Sequence, residues 1–341
     1  AAAAPREIRM GMFEIADTGG MICGFRLRAD GPAQDVQWNV DAAPDTFPDP
    51  GRHGLWLHFN FVDSRADRWI AQCGQIPEEA RELLLDSDPR IRLEPLGQGL
   101  VGVLGDLHHD FEADPEGFGV LRLYIGEKLI VSGRRHPLQS SDRLRRELRG
   151  GEVIASTLQW LSHLVQHMAE TFGSAVNDLN ETVEEVEDRI LQGRVADEGK
   201  ELGRVRRILA RLRRLVGANR QALIHARARL PGWCEGDVAQ LRMAIERLDA
   251  VAQDLELVQE RARLLQEEIA GRLNEATNRN LYLLSIVTAV MLPITLITGM
   301  FGMNVAGLPW LQDPEGFWKV CLLMAFVAAG TLLLLRWRRL F

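Results

Sequence analysis

The chain has 341 residues, of which 46% are hydrophobic and 26% charged, and its formal net charge is −7 at pH 7. This is the composition of a globular chain with room for one large or two modest domains, and nothing in it implies a nucleic-acid or protein partner. The average hides a sharp division, because residues 280–312 contain no Asp, Glu, Lys or Arg.

The first residues, AAAAPREIRM, have no basic start followed by an apolar stretch, so no secretory signal is expected and the large domain is read as cytosolic. From about 21 to 136, short runs such as MICGFRLRAD, GLWLHFNFVD and GVLRLYIGEKLIV alternate with Gly, Pro and Asp punctuation. They predict an α/β sheet domain over 1–150, with a helix at 76–85. The glycine-rich run at 97–105, GQGLVGVLG, lacks a following helix or a Lys-Ser/Thr pair, so it reads as a closely packed strand rather than a nucleotide loop.

From Ser140 onward the pattern is helical, in three stretches at about 151–192, 197–230 and 236–301, broken at Gly193 and at Pro231 and Gly232. The first two predict a helical hairpin over 151–235. Glu181, Glu184, Glu185 and Asp188 form a carboxylate face on one helix, and Arg204, Arg207, Arg211 and Arg214 repeat the spacing on the next. That pattern is either a cation-gathering face or a solvated hairpin paired across its two helices. In the third stretch Leu241, Ile245, Leu248, Val251, Leu255, Val258, Ala262 and Leu265 recur at threes and fours. A stalk over 236–280 that bundles with copies of itself is the expectation.

Residues 281–301, LYLLSIVTAVMLPITLITGMF, form a charge-free run that as a helix spans roughly 31 Å, the thickness of a bilayer core. A second run, 317–335, carries only Lys319 near its edge, where the long side chain can snorkel. Arg272 and Arg279 precede the first span and a basic tail, 336–341, follows the second, while the connecting loop 302–316 has no Lys or Arg. The positive-inside rule then puts both termini in the cytoplasm.

Within the first span Ser285, Thr288, Leu292, Thr295 and Gly299 share one stripe. Two readings stand: small residues that let helices pack in lipid, or a pore lining of hydroxyls closed by apolar rings at Leu292 and Leu284. The span ends in Gly299, Met300, Phe301, Gly302, Met303 and Asn304, where an uncharged amide oxygen can hold a hydrated divalent ion without slowing its release; an Asn cap on a helix end is the plainer alternative.

Gly302, Met303 and Asn304 directly after a charge-free span, a short loop, a second span ending in Arg336, Trp337, Arg338 and Arg339, and a long preceding stalk together resemble the CorA family of divalent-cation transporters. The resemblance covers about 280 residues. It implies an α+β membrane protein: a homopentameric funnel with a cytosolic α/β domain, a helical stalk and two C-terminal transmembrane helices in a bacterial inner membrane. By position the lining would be Asn304, Gly299, Thr295, Leu292, Thr288 and Leu284, with Asn278 near the inner mouth. The loop after Asn304, Val305 to Trp310, and the segment Leu55, Trp56, Leu57 and His58 with Trp69, Leu84 and Leu85 are similar to the zinc-transporting ZntB branch. The magnesium branch tends to carry glutamates where Ala306 and Trp310 stand. The resemblance therefore implies Zn²⁺ uptake, helped by a proton gradient in the ZntB manner, with Mg²⁺, Co²⁺ or Ni²⁺ as the alternative cargo.

Asp313 and Glu315 remain in the loop to raise local cation concentration. His163 and His167, at i and i+4, and His108 and His109 beside Asp110 are either metal ligands or packing histidines. The pore stripe has neither His nor Cys, so hydrated passage is expected, and no intramembrane Asp, Glu or His offers a proton relay. Cys23, Cys73, Cys234 and Cys321 form no CxxC and are read as free thiols. No nucleophile, base and orienting group come together and no cofactor motif is present, so no enzyme and no cofactor are expected. A membrane-anchored helical scaffold or sensor is the rival from another class.

Overall fold

A computed structural model describes residues 20–36, 49–109, 117–193, 198–234, 236–303, 307–310 and 313–337. The chain divides into two compact units, Ala1–Leu264 and Leu265–Phe341, taken in turn.

The first unit is built on a seven-stranded sheet in the order β2-β1-β3-β7-β6-β5-β4. The strands are β1 (Met21–Arg26), β2 (Gln34–Asp35), β3 (Leu55–Asn60), β4 (Arg92–Leu96), β5 (Gly99–Leu107), β6 (Phe118–Ile125) and β7 (Leu129–Arg134). Only β3 and β7 run parallel, with Leu55 opposite Leu129; every other neighbouring pair is antiparallel. The glycine run is the β4–β5 hairpin, turned at Gly97 with φ +57°. A side chain at Gly102 would lie 2.0 Å from the Arg92 carbonyl oxygen, so close strand packing explains that glycine.

Period-two alternation sends Leu55, Leu57 and Phe59 of β3 to a core with Trp69, Ile70, Ile76 and Leu84. Those partners come from α1 (Ser64–Gln72) and α2 (Glu78–Leu85). Further helices pack on the sheet: α3 (Gln139–Arg149) and α4 (Thr157–Leu191) against β5, and α5 (Glu198–Arg227) against β4 and β5. On the alternate face of β3, Trp56 packs its ring 5.1 Å from Trp160 of α4, the two planes tilted by 58°. Its indole N–H donates to Ser132 Oγ at 2.8 Å, which leaves the hydroxyl proton for His58 Nδ1, also at 2.8 Å. Burial, reinforced by the charge of Arg134, pushes the His58 imidazole well below its usual range, so this buried histidine is a neutral packing residue.

Helix ends follow local rules. Asp63 caps α1 by accepting from Arg65 N at 2.9 Å, and Ser156 caps α4 through Gln159 N at 3.0 Å. Gly193, at φ +83°, ends α4. The expectation of one helix at 76–85 requires correction: Pro77 fixes an extended N-cap, so α2 starts at Glu78, and α1 precedes it. Asn219 of α5 shows why that helix docks where it does. Strand β4 ends opposite Val103, and beyond it the Asn219 side-chain amide accepts from Gly105 N at 2.9 Å and donates to Gly105 O at 2.8 Å. An amide thus completes the ladder where the neighbouring strand stops.

α6 (Val238–Phe301) is a 64-residue helix, of which the first part belongs to this unit. Here the ground for one expectation changes. The periodic face of Leu241, Ile245, Leu248, Leu255, Val258 and Ala262 is buried within its own chain, so that face gives no argument for bundling with other copies. Of the acidic face of α4, Glu184 is met by α6, and the α4–α5 hairpin is itself paired through Arg189 with Glu198 and Glu201. Arg261 reaches Glu184 at 2.9 Å and Glu187 at 2.6 Å, while Arg213 of α5 pairs with Glu256 of α6 at 2.9 Å.

The second unit holds the rest of α6 and α7 (Gly316–Trp337). Both helices are long and apolar enough to cross a membrane, and none of their apolar windows is buried, unlike the core helix of a soluble domain.

Candidate ion-conduction site

In the hairpin unit the hydroxyl stripe is a physical feature of α6. Ser285 Oγ donates to Leu281 O, Thr288 Oγ1 to Leu284 O and Thr295 Oγ1 to Met291 O, each at 2.8 Å. A hydroxyl that gives its only proton to the backbone one turn earlier turns its lone pairs outward as acceptors. The stripe is therefore a row of uncharged oxygens, suited to the water shell of a cation. Leu284 and Leu292 beside it are 62% and 69% exposed, and Asn278, Thr288, Thr295 and Gly299 are exposed as well. The half-shielded residues of α6, Ile286, Ala289, Val290, Pro293, Ile294 and Ile297, lie on a different face. In α7 a similar half-shielded row contains Val320, Met324, Val327, Ala328, Thr331 and Leu335. The helix thus leaves its oxygen-bearing face uncovered by its own hairpin.

Pro293 sits inside α6 and supplies no N–H, yet the helix continues, as membrane helices commonly permit. The helix closes with Gly302 N donating to Thr298 O at 2.9 Å and Met303 N to Met300 O at 3.3 Å. A side chain at Gly302 would meet the Thr298 carbonyl oxygen at 3.1 Å, so glycine keeps the terminal carbonyls uncrowded. Asn304, the third residue of that motif, lies outside the described residues.

The loop beyond is organised around Asp313. Its backbone N–H donates to Trp310 O at 3.2 Å, and its carboxylate accepts from Glu315 N at 3.0 Å and pairs with Lys319. The Lys319 ammonium and the Glu315 amide hold the Asp313 carboxyl below the usual carboxylate range. The lysine read as snorkelling outward instead reaches back to the loop, so Asp313 attracts a cation less than an unpaired carboxylate does. Glu315 is exposed beside it. Residues six apart across a helix start give no periodic signal, so sequence reasoning missed this pair.

The histidines lie in the other unit. His163 and His167 of α4 both meet Glu147 of α3, at 3.3 Å and 2.6 Å. His109 Nε2 lies 2.9 Å from Asp142, and His108 packs its ring 5.0 Å from His136; Asp110 is outside the described residues. As placed, no three His, Cys, Asp or Glu side chains among the described residues form a ready metal shell. The four cysteines are free thiols, three of them buried.

Comparison with known proteins agrees with this architecture. The profile of the family described as CorA-like Mg²⁺ transporter protein matches residues 52–338. The divalent cation transporter CmaX of Pseudomonas aeruginosa is 32% identical over 94% of this chain and 96% of its own length. The zinc transport protein ZntB of Pectobacterium atrosepticum is 28% identical over 81% of this chain and 84% of its own. The solved structure of full-length CmaX superposes with a TM-score of 0.78 at 30% identity, covering 96% of this chain and 99% of that one. The matched family consists of membrane transporters and not enzymes. With its α/β N-terminal unit, its long helix and its two apolar C-terminal helices, the chain belongs to the CorA-like Mg²⁺ transporter family.

Proposed function

We propose that this member of a divalent-cation transporter family moves Zn²⁺ into the cell through a homopentameric pore lined by the oxygen stripe of α6. The observation that carries the reading is the uncovered, charge-free row of Thr288 and Thr295 hydroxyls and Gly299, leading to Gly302 and Met303. Five such rows around an axis would give a passage of neutral acceptors, wide enough in chemistry for a hydrated ion and closed by leucine rings at Leu284 and Leu292. Asn304 would hold the hydrated cation at the outer mouth, Asn278 would line the inner end, and Glu315 with the partly neutralised Asp313 would enrich cations in the loop. Domain limits follow this assignment: residues 281–301 and 317–335 cross an inner membrane, 302–316 faces out, and 1–280 and 336–341 are cytoplasmic. The basic residues on both flanks support that orientation.

The choice of Zn²⁺ rests on the ZntB relative and on a loop without glutamate at Ala306 and Trp310. A Mg²⁺, Co²⁺ or Ni²⁺ channel is the second reading, favoured by the Mg²⁺ transporters that give the family its description. Flux into liposomes holding the full-length protein and an ion-sensitive dye tests both. Zinc entry that rises with an inward proton gradient supports the first reading; magnesium entry alone, indifferent to pH, establishes the second. Asn304→Leu should abolish flux while assembly and insertion persist, and full flux in that variant would leave the hairpin as a mere anchor for a scaffold.

A further inference from the structure

Two histidines one turn apart on α4 and a glutamate from α3 converge in the N-terminal unit. Glu147 Oε1 lies 3.3 Å from His163 Nδ1, and its Oε2 lies 2.6 Å from His167 Nε2. The remaining nitrogen of His167 faces Glu170 Oε2 at 3.3 Å. Glu170 is steadied through its other oxygen, which accepts from Gln166 Nε2 at 3.1 Å. The His163, His167 and Glu147 side chains are 24%, 13% and 26% exposed, open enough for an ion to enter and shielded enough to hold it.

Each histidine contact in this cluster sets an imidazole nitrogen against a carboxylate oxygen. Zinc binds the same atoms at about 2.0–2.2 Å, which sets ligand-to-ligand edges of about 3.3 Å in a tetrahedron. The His163 Nδ1 to Glu147 Oε1 separation is already 3.3 Å. The His167–Glu147 contact is shorter and must open, so the present arrangement is hydrogen-bonded and not a preformed shell. Two imidazoles with one carboxylate, leaving room for a fourth donor, form a set that suits zinc, whereas Mg²⁺ prefers water and oxygen ligands only.

We propose that His163, His167 and Glu147, with Glu170 orienting His167 through its other ring nitrogen, form a binding site for a divalent transition-metal ion of the zinc class, which takes the place of the protons between them and clamps α3 to α4. This site is separate from the hairpin unit and does not rest on the transport reading.

The test uses metal-stripped full-length protein in detergent, titrated with Co²⁺ and then with Zn²⁺. One Co²⁺ per chain should give a visible absorption band that zinc removes and that excess Mg²⁺ leaves intact. H163Q/H167Q should bind one ion fewer per chain at that site, and E147Q should weaken it at least ~10-fold. Circular dichroism and gel filtration verify that each variant folds. Should the double variant fail that check, H163Q alone serves, with a loss of at least ~10-fold in affinity as the expected result. Equal stoichiometry and affinity in the wild type and the folded variants, or no visible band in the wild type, would overturn the proposal. Asn304→Leu should leave this binding unchanged, so loss of flux and loss of the site are read independently.

Discussion

Asp142 is the most heavily engaged carboxylate in the N-terminal unit. It takes a two-pronged pair from Arg134, at 2.7 Å and 3.0 Å, together with Arg145 at 3.2 Å and His109 at 2.9 Å. The side chains of Asp142 and Arg134 are each only 8% exposed. Asp142→Ala leaves the Arg134 guanidinium buried without its counter-charge, and breaking a buried pair from one side costs about 3–5 kcal/mol. For a domain of this size each kcal/mol moves the midpoint by about 2–4 °C, so Tm of the full-length protein should fall by roughly 6–20 °C at pH 7. The penalty belongs to the stranded charge, so R134M/D142A should recover most of it. Burial alone would raise the Asp142 carboxyl, but the hydrogen bonds from His109 and Arg134 and the neighbouring positive charges hold it well below the usual range. A carboxyl depressed in the folded state contributes its stability above its unfolded pKa of about 3.9 and loses it as the pH falls toward the folded value. The gap between wild type and D142A, followed by circular dichroism during heating, should therefore be full at pH 7 and shrink below about pH 4. A shift under about 1 °C at pH 7, or a double variant no better than D142A, would refute the reasoning.

Replacing Asn219 with Leu strands the amide and carbonyl of Gly105 that the side chain now satisfies; at about 1–3 kcal/mol for each group, Tm should drop and the Gly105 amide should exchange faster. Burial pushes the Cys23 and Cys234 thiols up to about 12, from 9.0. At pH 8 the native protein should therefore alkylate at these positions about 1,000-fold more slowly than the unfolded chain, and prompt labelling would show that they are open. A side chain at Gly316 would sit 2.3 Å from the Trp310 carbonyl oxygen. Gly316→Ala should therefore loosen the 302–316 loop and speed its cleavage in limited proteolysis, whereas an unchanged rate would mean the loop relaxes without cost.

Properties carried by neighbouring residues were legible in the chain alone. The charge-free 281–301 run, the glycine and proline breaks at Gly193 and Pro231, and the stripe through Ser285, Thr288, Leu292, Thr295 and Gly299 depend only on hydropathy and a 3.6-residue period. The glycine-rich strand was legible for the same reason. Helix α1 was not: Ala66, Trp69 and Ile70 do share one face and Asp63 caps it, but nine residues between strand-like runs make too short a stretch to stand out. The Lys319 and Asp313 pair was equally hidden, since it spans a turn and not a helix face.

What the sequence by itself determined was where the long helices lie, which of them suit a bilayer, and which face of the first span carries oxygen. Only the tertiary structure decided which segments meet. It set β3 parallel to β7, used Asn219 to finish the ladder at Gly105, and turned the apolar face of α6 onto its own chain. It also brought Arg261 to Glu184 of α4, and Glu147 between His163 and His167. Local rules cannot predict such meetings, because the partners are up to 114 residues apart and each contact forms only once the packing of the layers has fixed which surfaces face one another.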